Sequence, residues 1–396
     1  MSPQFHTYNF PTRIRFGAGV RHQLTEELQA LNAKRVLIVT DKDVAQLPWF
    51  ASIEAELNAF KPTTFSGVWG NPVVSQVDAG FEMWQASGAD TIVAVGGGAP
   101  MDVAKAIALV ANHPGHLFDY EDGASTRPID QPIPPIVALP TTAGTGSEVG
   151  RSTVISDDIT HAKKIMFDPQ LLPKVVLADP ELLLGLPAKI TAATGMDALT
   201  HLIEAFLAKG EHPICDGIAL EGIYLVSQHL KDCVQFAQRL GSGEEFDEET
   251  KAAHLAARGG MLNASMMGAI AFQKGLGVTH SCAHALSTVC DMHHGLANGV
   301  MLSAAMAFNL EAVPERFLRM ARVVNPTASR GEDFLEWIDS LASAIGIPSS
   351  LTTLGVTLDK IDRLVKVAEQ DGCHPLNPRP VSQDDFVAIF QHALEG

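Results

Sequence analysis

Short, unbroken runs of β-branched and apolar residues at 36–40, 91–95, 136–139 and 175–177 alternate with helix-patterned segments, and beyond about Pro187 no such run recurs. Continuous apolar runs, rather than alternating ones, are what strands covered on both faces require, and such strands pair in parallel. The intervening segments 21–31, 49–60, 74–87 and 101–112 read as helices, so the first half is built from βαβ units. The segments 191–208, 216–239, 248–267, 282–290, 295–310, 331–345 and 358–369 all favour helix. The expected architecture is an α/β domain over residues 1–187 and an all-helical domain over 188–396, with the proline-rich stretch 173–187 as the hinge. A length of 396 residues accommodates two or three domains.

Composition narrows the partners. With 46% apolar and 18% charged residues the chain can bury a large core. A net charge of −17, with no Lys/Arg-rich run, argues against nucleic acid or an anionic membrane and leaves a small diffusing molecule as the partner. The five cysteines include no Cys-x-x-Cys pair, which disfavours a disulfide framework or a zinc knuckle and fits a reducing cytoplasm. Residues 1–11 lack a signal-peptide layout. The most apolar region, 259–310, is broken by Lys274, Asp291 and four histidines, so it reads as buried helices rather than membrane spans.

Two turns carry the features of a dinucleotide site. Gly96-Gly97-Gly98-Ala99-Pro100-Met101-Asp102 follows an expected strand and opens a helix. Glycines let backbone approach a diphosphate, and the helix start offers free N–H groups. Pro140-Thr141-Thr142-Ala143-Gly144-Thr145-Gly146-Ser147-Glu148 follows another strand and concentrates hydroxyls and open amides. At a third strand end, Asp41 is placed to bond an adenosine ribose and to repel a 2′-phosphate, which favours NAD over NADP.

A second chemistry lies in segments 191–206 and 275–301. Asp197 and His201 stand four apart on one helix face, His280 and His284 repeat that spacing, and His293 and His294 follow just before Gly295. Carboxylate and imidazole are ligands for divalent transition metals, and a buried helical Asp needs a cation or an arginine partner. Fe(II), Zn(II), Ni(II) and Mn(II) all suit such a set. A metal and a dinucleotide in one chain point to a redox enzyme.

These motifs together resemble the iron-dependent (group III) alcohol dehydrogenases, a family that includes lactaldehyde reductases and 1,3-propanediol dehydrogenases. The resemblance rests on 96–102, 140–148, the segment Ala192-Ala193-Thr194-Gly195-Met196-Asp197-Ala198-Leu199-Thr200-His201, the segment 280–295, and an ending with Asn377-Pro378-Arg379 and Asp384-Asp385-Phe386. It implies a Rossmann-like α/β N-terminal domain and an all-α C-terminal domain, the two-domain architecture of dehydroquinate synthase. It implies Asp197, His201, His280 and His294 as metal ligands and His284 as a neighbouring proton relay. Nucleotide contacts are implied at or near Asp41, Asn71, Gly97, Gly98, Asp102, Thr141, Thr142, Ser147, Lys163 and Leu182. The implied activity interconverts a small primary alcohol, diol or hydroxy acid with its aldehyde or ketone, using NAD(H) and one divalent metal. Fe(II) is the favoured ion, with Zn(II) or Ni(II) as alternatives, and the assembly is a homodimer or higher homo-oligomer. A non-redox lyase of the same fold and a nucleotide-binding protein with a structural metal are the rival readings. The chain departs from the family at Ala99, where many members have Ser, and at Ala285-Leu286-Ser287, where many have Pro-Leu-Gly.

Overall fold

The computed structural model describes residues 9–396. It forms two compact units, one of Pro11–Thr142 with Gly146–Gly185, the other of Leu186–Gly396 with 9–10 and Ala143–Thr145.

The first unit contains β1 (Arg13–Phe16), β2 (Val36–Asp41), β3 (Thr63–Val68), β4 (Thr91–Gly96), β5 (Ile136–Pro140), β6 (Ser152–Ser156), β7 (Lys163–Phe167) and β8 (Val175–Ala178). Six of these make one sheet in the order β1-β8-β5-β4-β2-β3, with every pairing parallel. The interior strands are the runs legible in the sequence, and Val36–Val39 and Ile92–Val95 are wholly buried. The edge strands β1 and β3 were not expected. Each pairs on one side only and carries polar residues, Arg13 and Arg15 in β1 and Thr63, Thr64 and Ser66 in β3, so neither forms an apolar run. An antiparallel ribbon of β6 and β7 was also unforeseen. Helices α1 (Leu24–Ala30), α2 (Pro48–Glu56), α3 (Val74–Ser87) and α4 (Gly98–Asn112) link the strands. From β2 the chain passes to β3 on one side and then to β4 on the other. In sheets of this type ligands bind outside the carboxyl ends of the strands at such a reversal, here β2 and β4.

Helix α4 holds a buried lysine that ties the unit together. Lys105 Nζ donates to the carbonyls of Ser147 (2.6 Å), Gly150 (3.0 Å) and Ser152 (2.9 Å) and to Ser147 Oγ (3.0 Å). Burial pushes its pKa down to about 8 against the raising influence of Asp102 and Glu148.

The second unit contains α5 (Ala188–Leu207), α6 (Pro213–Gly241), α7 (Glu248–Ala271), α8 (Val278–Cys290), α9 (His294–Leu310), α10 (Pro314–Val324), α11 (Glu332–Ala344), α12 (Ile361–Glu369) and α13 (Gln383–Glu395). Every residue of α5 from Thr191 to Leu207 is buried, so it is the central helix, packed by α6, α7 and α9. The segment 259–310 is the interior of this bundle, and no helix among the described residues is long and apolar enough to cross a membrane. Helices α10 and α13 add to the expected set; α10 buries Phe317, Met320 and Ala321 within a segment that also carries Glu315, Arg316, Arg319 and Arg322, and α13 buries Phe386, Ile389, Phe390 and Ala393.

Replacing Lys105 with Met leaves buried carbonyls without a donor and Asp102 without its counter-charge. The expected loss is about 2–4 kcal/mol of stability in the α/β unit. Denaturant titration followed by tryptophan fluorescence checks it, since Trp49, Trp69 and Trp84 all belong to that unit.

Candidate metal centre and nucleotide turns

Helices α5, α8 and α9 bring four side chains together. A carboxylate oxygen of Asp197 and one ring nitrogen each of His201, His280 and His294 lie within 4.8 Å of one another. The imidazole Nε2 atoms stand 4.0 Å (His201), 4.0 Å (His280) and 3.3 Å (His294) from Asp197 Oδ1. The rings of His201 and His280 stack at 4.7 Å, and Phe272 packs beside His201 at 5.2 Å. Among the described residues no lysine or arginine forms an ion pair with Asp197, although it is only 2% exposed. Its hydrogen-bond donor is the amide of Asn298, at 2.7 Å. A buried carboxylate facing imidazoles rather than a cationic side chain fits a divalent cation.

What aims His280 is a residue that the sequence analysis did not single out. Glu204, on α5, accepts hydrogen bonds from His280 Nδ1 (2.7 Å) and from the backbone N–H groups of Gly277 (2.9 Å) and Thr279 (2.6 Å). Asn377 takes the intervening N–H of Val278 at 3.3 Å and exchanges two bonds with Asn309. The first turn of α8 is therefore capped by side chains from α5 and from the Asn-Pro-Arg ending. With His280 Nδ1–H given to Glu204, Nε2 carries the lone pair a metal needs, the usual arrangement around ligating histidines. A signal was present: Glu204 falls seven residues after Asp197 and three after His201, on the same helix face.

The electrostatics follow. Burial holds the His201 imidazole down at about 4. Burial pushes His280 the same way, but the bond to Glu204 and its charge outweigh it and raise this histidine. Glu204 is held low: burial alone would raise it, and His280, Thr279 and Gly277 reverse that.

Helix α8 ends at Cys290, Asp291 adopts φ 50°, and α9 begins at His294. His293 caps α9, its Nδ1 accepting the N–H of Leu296 at 3.4 Å. Gly295 explains the close approach of α9 to α5, since a Cβ there would stand 2.4 Å from the Ala193 carbonyl oxygen. His284 is outside the group of four; its ring stacks on His294 at 5.2 Å and its Nδ1 bonds Asp371 at 2.7 Å.

The residues expected to touch nucleotide all belong to the α/β unit. Asp41 ends β2, with Oδ1 accepting from the N–H groups of Asp43 (2.9 Å) and Val44 (2.7 Å). Asn71 lies between β3 and α3. Gly97 precedes and Gly98 opens α4, and a Cβ on Gly97 would meet Thr142 Oγ1 at 3.0 Å. Thr141 and Thr142 follow β5, and Leu182 lies shortly after β8. Asp41, Gly97, Thr141 and Thr142 thus collect at the carboxyl ends of β2, β4 and β5. Two others are bonded to each other: Ser147 Oγ–H donates to Asp102 Oδ1 at 2.6 Å, while Asp102 Oδ2 takes the Val154 N–H at 3.1 Å. Their visible work is to brace one turn against the other. Lys163 opens β7 and pairs with Ser156.

Replacing Glu204 with Ala strands two backbone donors and an imidazole N–H. The expected loss in metal-stripped protein is about 2–4 kcal/mol. A carboxylate with a depressed pKa contributes its stability above the ordinary carboxylate range and loses it as pH falls. The stability gap between wild type and Glu204→Gln should therefore narrow below a pH of about 4.5, read by denaturant titration at stepped pH.

The chain is similar to known proteins along most of its length. The family description "Iron-containing alcohol dehydrogenase" matches residues 11–180, and "Fe-containing alcohol dehydrogenase family, C-terminal" matches residues 191–394. The chain is 35% identical to 4-hydroxybutyrate dehydrogenase of Cupriavidus necator, over 97% of this chain and 98% of that protein. It is also 35% identical to 1,3-propanediol dehydrogenase of Klebsiella pneumoniae, over 100% of each. The solved structure of a 1,3-propanediol oxidoreductase superposes with a TM-score of 0.91 at 35% identity, covering 99% of this chain and 100% of that one. With both halves matched and full-length relatives at this identity, the chain belongs to the iron-containing alcohol dehydrogenases, metal-dependent oxidoreductases that interconvert alcohols and aldehydes.

Proposed function

We propose that Asp197, His201, His280 and His294 hold a single divalent cation, Fe(II) foremost with Zn(II) or Ni(II) as alternatives. We further propose that the enzyme uses NAD(H) to interconvert a short primary alcohol bearing a second oxygen function and its aldehyde. The observation that carries the reading is the convergence of imidazole Nε2 atoms on Asp197 Oδ1, with Glu204 fixing His280 in the tautomer a ligand requires. The family name supports iron, and the relatives named for 4-hydroxybutyrate and 1,3-propanediol support the substrate class. When bound, the cation supplies Lewis acidity that lowers the pKa of an alcohol hydroxyl.

The chain's own residues do the rest. Asn298 steadies Asp197, and Glu204 steadies His280. Gly97, Gly98, Thr141 and Thr142 offer backbone and hydroxyl groups for the dinucleotide's phosphates and amide. Asp41, anchored through Oδ1, presents its carboxylate to the adenosine ribose, and its negative charge disfavours a 2′-phosphate. His284 carries the substrate proton. The free cysteines among the described residues suit a cytoplasmic location, and the family resemblance supports assembly as a homodimer or higher homo-oligomer.

Two variants test this. Asn in place of His280 can still donate toward Glu204 but offers no Nε2. In His280→Asn, metal content measured by elemental analysis should fall to background together with alcohol oxidation, while the helical circular dichroism persists. Full turnover in a metal-free variant overturns the proposal. Asp41→Asn keeps the oxygen that accepts from Asp43 and Val44 and removes the charge. The kcat/KM preference for NAD over NADP should drop by about tenfold or more, read from initial rates with each cofactor.

A further inference from the structure

A histidine that handles a proton needs its ring held in one tautomer. Asp371, in the turn after α12, is the group that bonds it. Asp371 Oδ2 accepts from His284 Nδ1 at 2.7 Å. Asp371 Oδ1 accepts from Ser281 Oγ at 2.7 Å and from the backbone N–H of Cys373 at 2.9 Å. Ser281 Oγ in turn accepts the backbone N–H of His374 at 3.0 Å, so its own proton is directed to Asp371. The direction of every bond is then determined. Two backbone N–H groups can only donate, the carboxylate can only accept, and His284 Nδ1 must carry a hydrogen.

We propose that Asp371 is a positioning residue for the reaction, locking His284 in the tautomer with Nδ1 protonated and Nε2 as acceptor. The proposal rests on the reading that His284 handles the substrate proton, although Asp371's hold on the ring does not. His284, Asp371 and Cys373 also lie close enough together to contact one ion. Both oxygens of Asp371 are already engaged by the donors above, so the triad serves as a hydrogen-bonded frame. Burial keeps the Cys373 thiol well above its ordinary pKa and therefore protonated, which agrees with that use.

The geometry dictates what Asp371→Asn does. The Cys373 N–H and the Ser281 hydroxyl both need an acceptor at the Oδ1 position, so the amide oxygen stays there. The amide NH2 then faces His284 Nδ1, which must become an acceptor, and the ring hydrogen moves to Nε2. Zinc-loaded enzyme labelled with 15N-histidine reports this directly through long-range 15N–1H spectra, with His284 assigned by a His284→Gln variant. Wild type should show the Nδ1–H tautomer and Asp371→Asn the Nε2–H tautomer, at equal zinc content. In alcohol oxidation the variant's kcat should fall by about 100-fold with KM little changed, and Asp371→Glu should recover part of it. An unchanged tautomer overturns the proposal alone. A flipped tautomer with unchanged kcat overturns the role of His284, and with it that of Asp371. Loss of a second equivalent of zinc in Asp371→Asn overturns the frame in favour of a cation site.

Discussion

The buried carboxylate of Glu204 is the point on which the helical unit turns. It accepts two backbone N–H groups from the start of α8 and the Nδ1–H of His280, so one side chain ends a helix and orients an imidazole. A carboxylate removed from water is costly unless its lone pairs are taken up, and here they are. Because Glu204 shares α5 with Asp197 and His201, these bonds also fix the offset between the α5 pair and His280. Asn298 does the same for α9 by reaching back from beside His294 to Asp197. The centre is thus tied together by polar bonds between helices whose apolar faces alone would tolerate sliding.

The α/β unit shows the same economy. Its sheet brings Asp41, Gly97 and the two threonines to one edge, because parallel strands all end on the same side. The turns there are held by groups facing inward: Lys105 gathers the carbonyls of 147, 150 and 152, and Asp102 takes the hydroxyl of Ser147. Loops rich in glycine and hydroxyls would otherwise be mobile. A buried lysine three residues after Asp102 gives them a fixed shape.

Much of this was legible in the chain. Interior strands and the long helices announce themselves through continuous apolar runs and helical periodicity; spacing marks Asp197, His201 and the histidine cluster 280–294, and the family resemblance divides that cluster. Edge strands β1 and β3 did not announce themselves, since a strand paired on one side only keeps polar residues and loses its apolar signature. His293 illustrates a different limit. Adjacent histidines look alike by spacing, and the physical reason they differ lies in the break at Asp291, after which His293 caps α9 while His294 joins Asp197, His201 and His280. Asp102 and Ser147 have side chains suited to phosphate, yet they are bonded to each other.

The sequence by itself determined the two-part architecture and the chemistry available, because residue type and local periodicity encode which elements form and which ligands exist. Tertiary structure alone decided the partners. Glu204 to His280, Asp371 to His284 and Asn298 to Asp197 join residues separated by 76, 87 and 101 positions. No local pattern marks such pairs, since each depends on which helix faces meet. These partners choose the hydrogen-bearing nitrogen of His280 and His284 and orient the Asp197 carboxylate, and so they turn a set of plausible ligands into a centre with defined donors and acceptors.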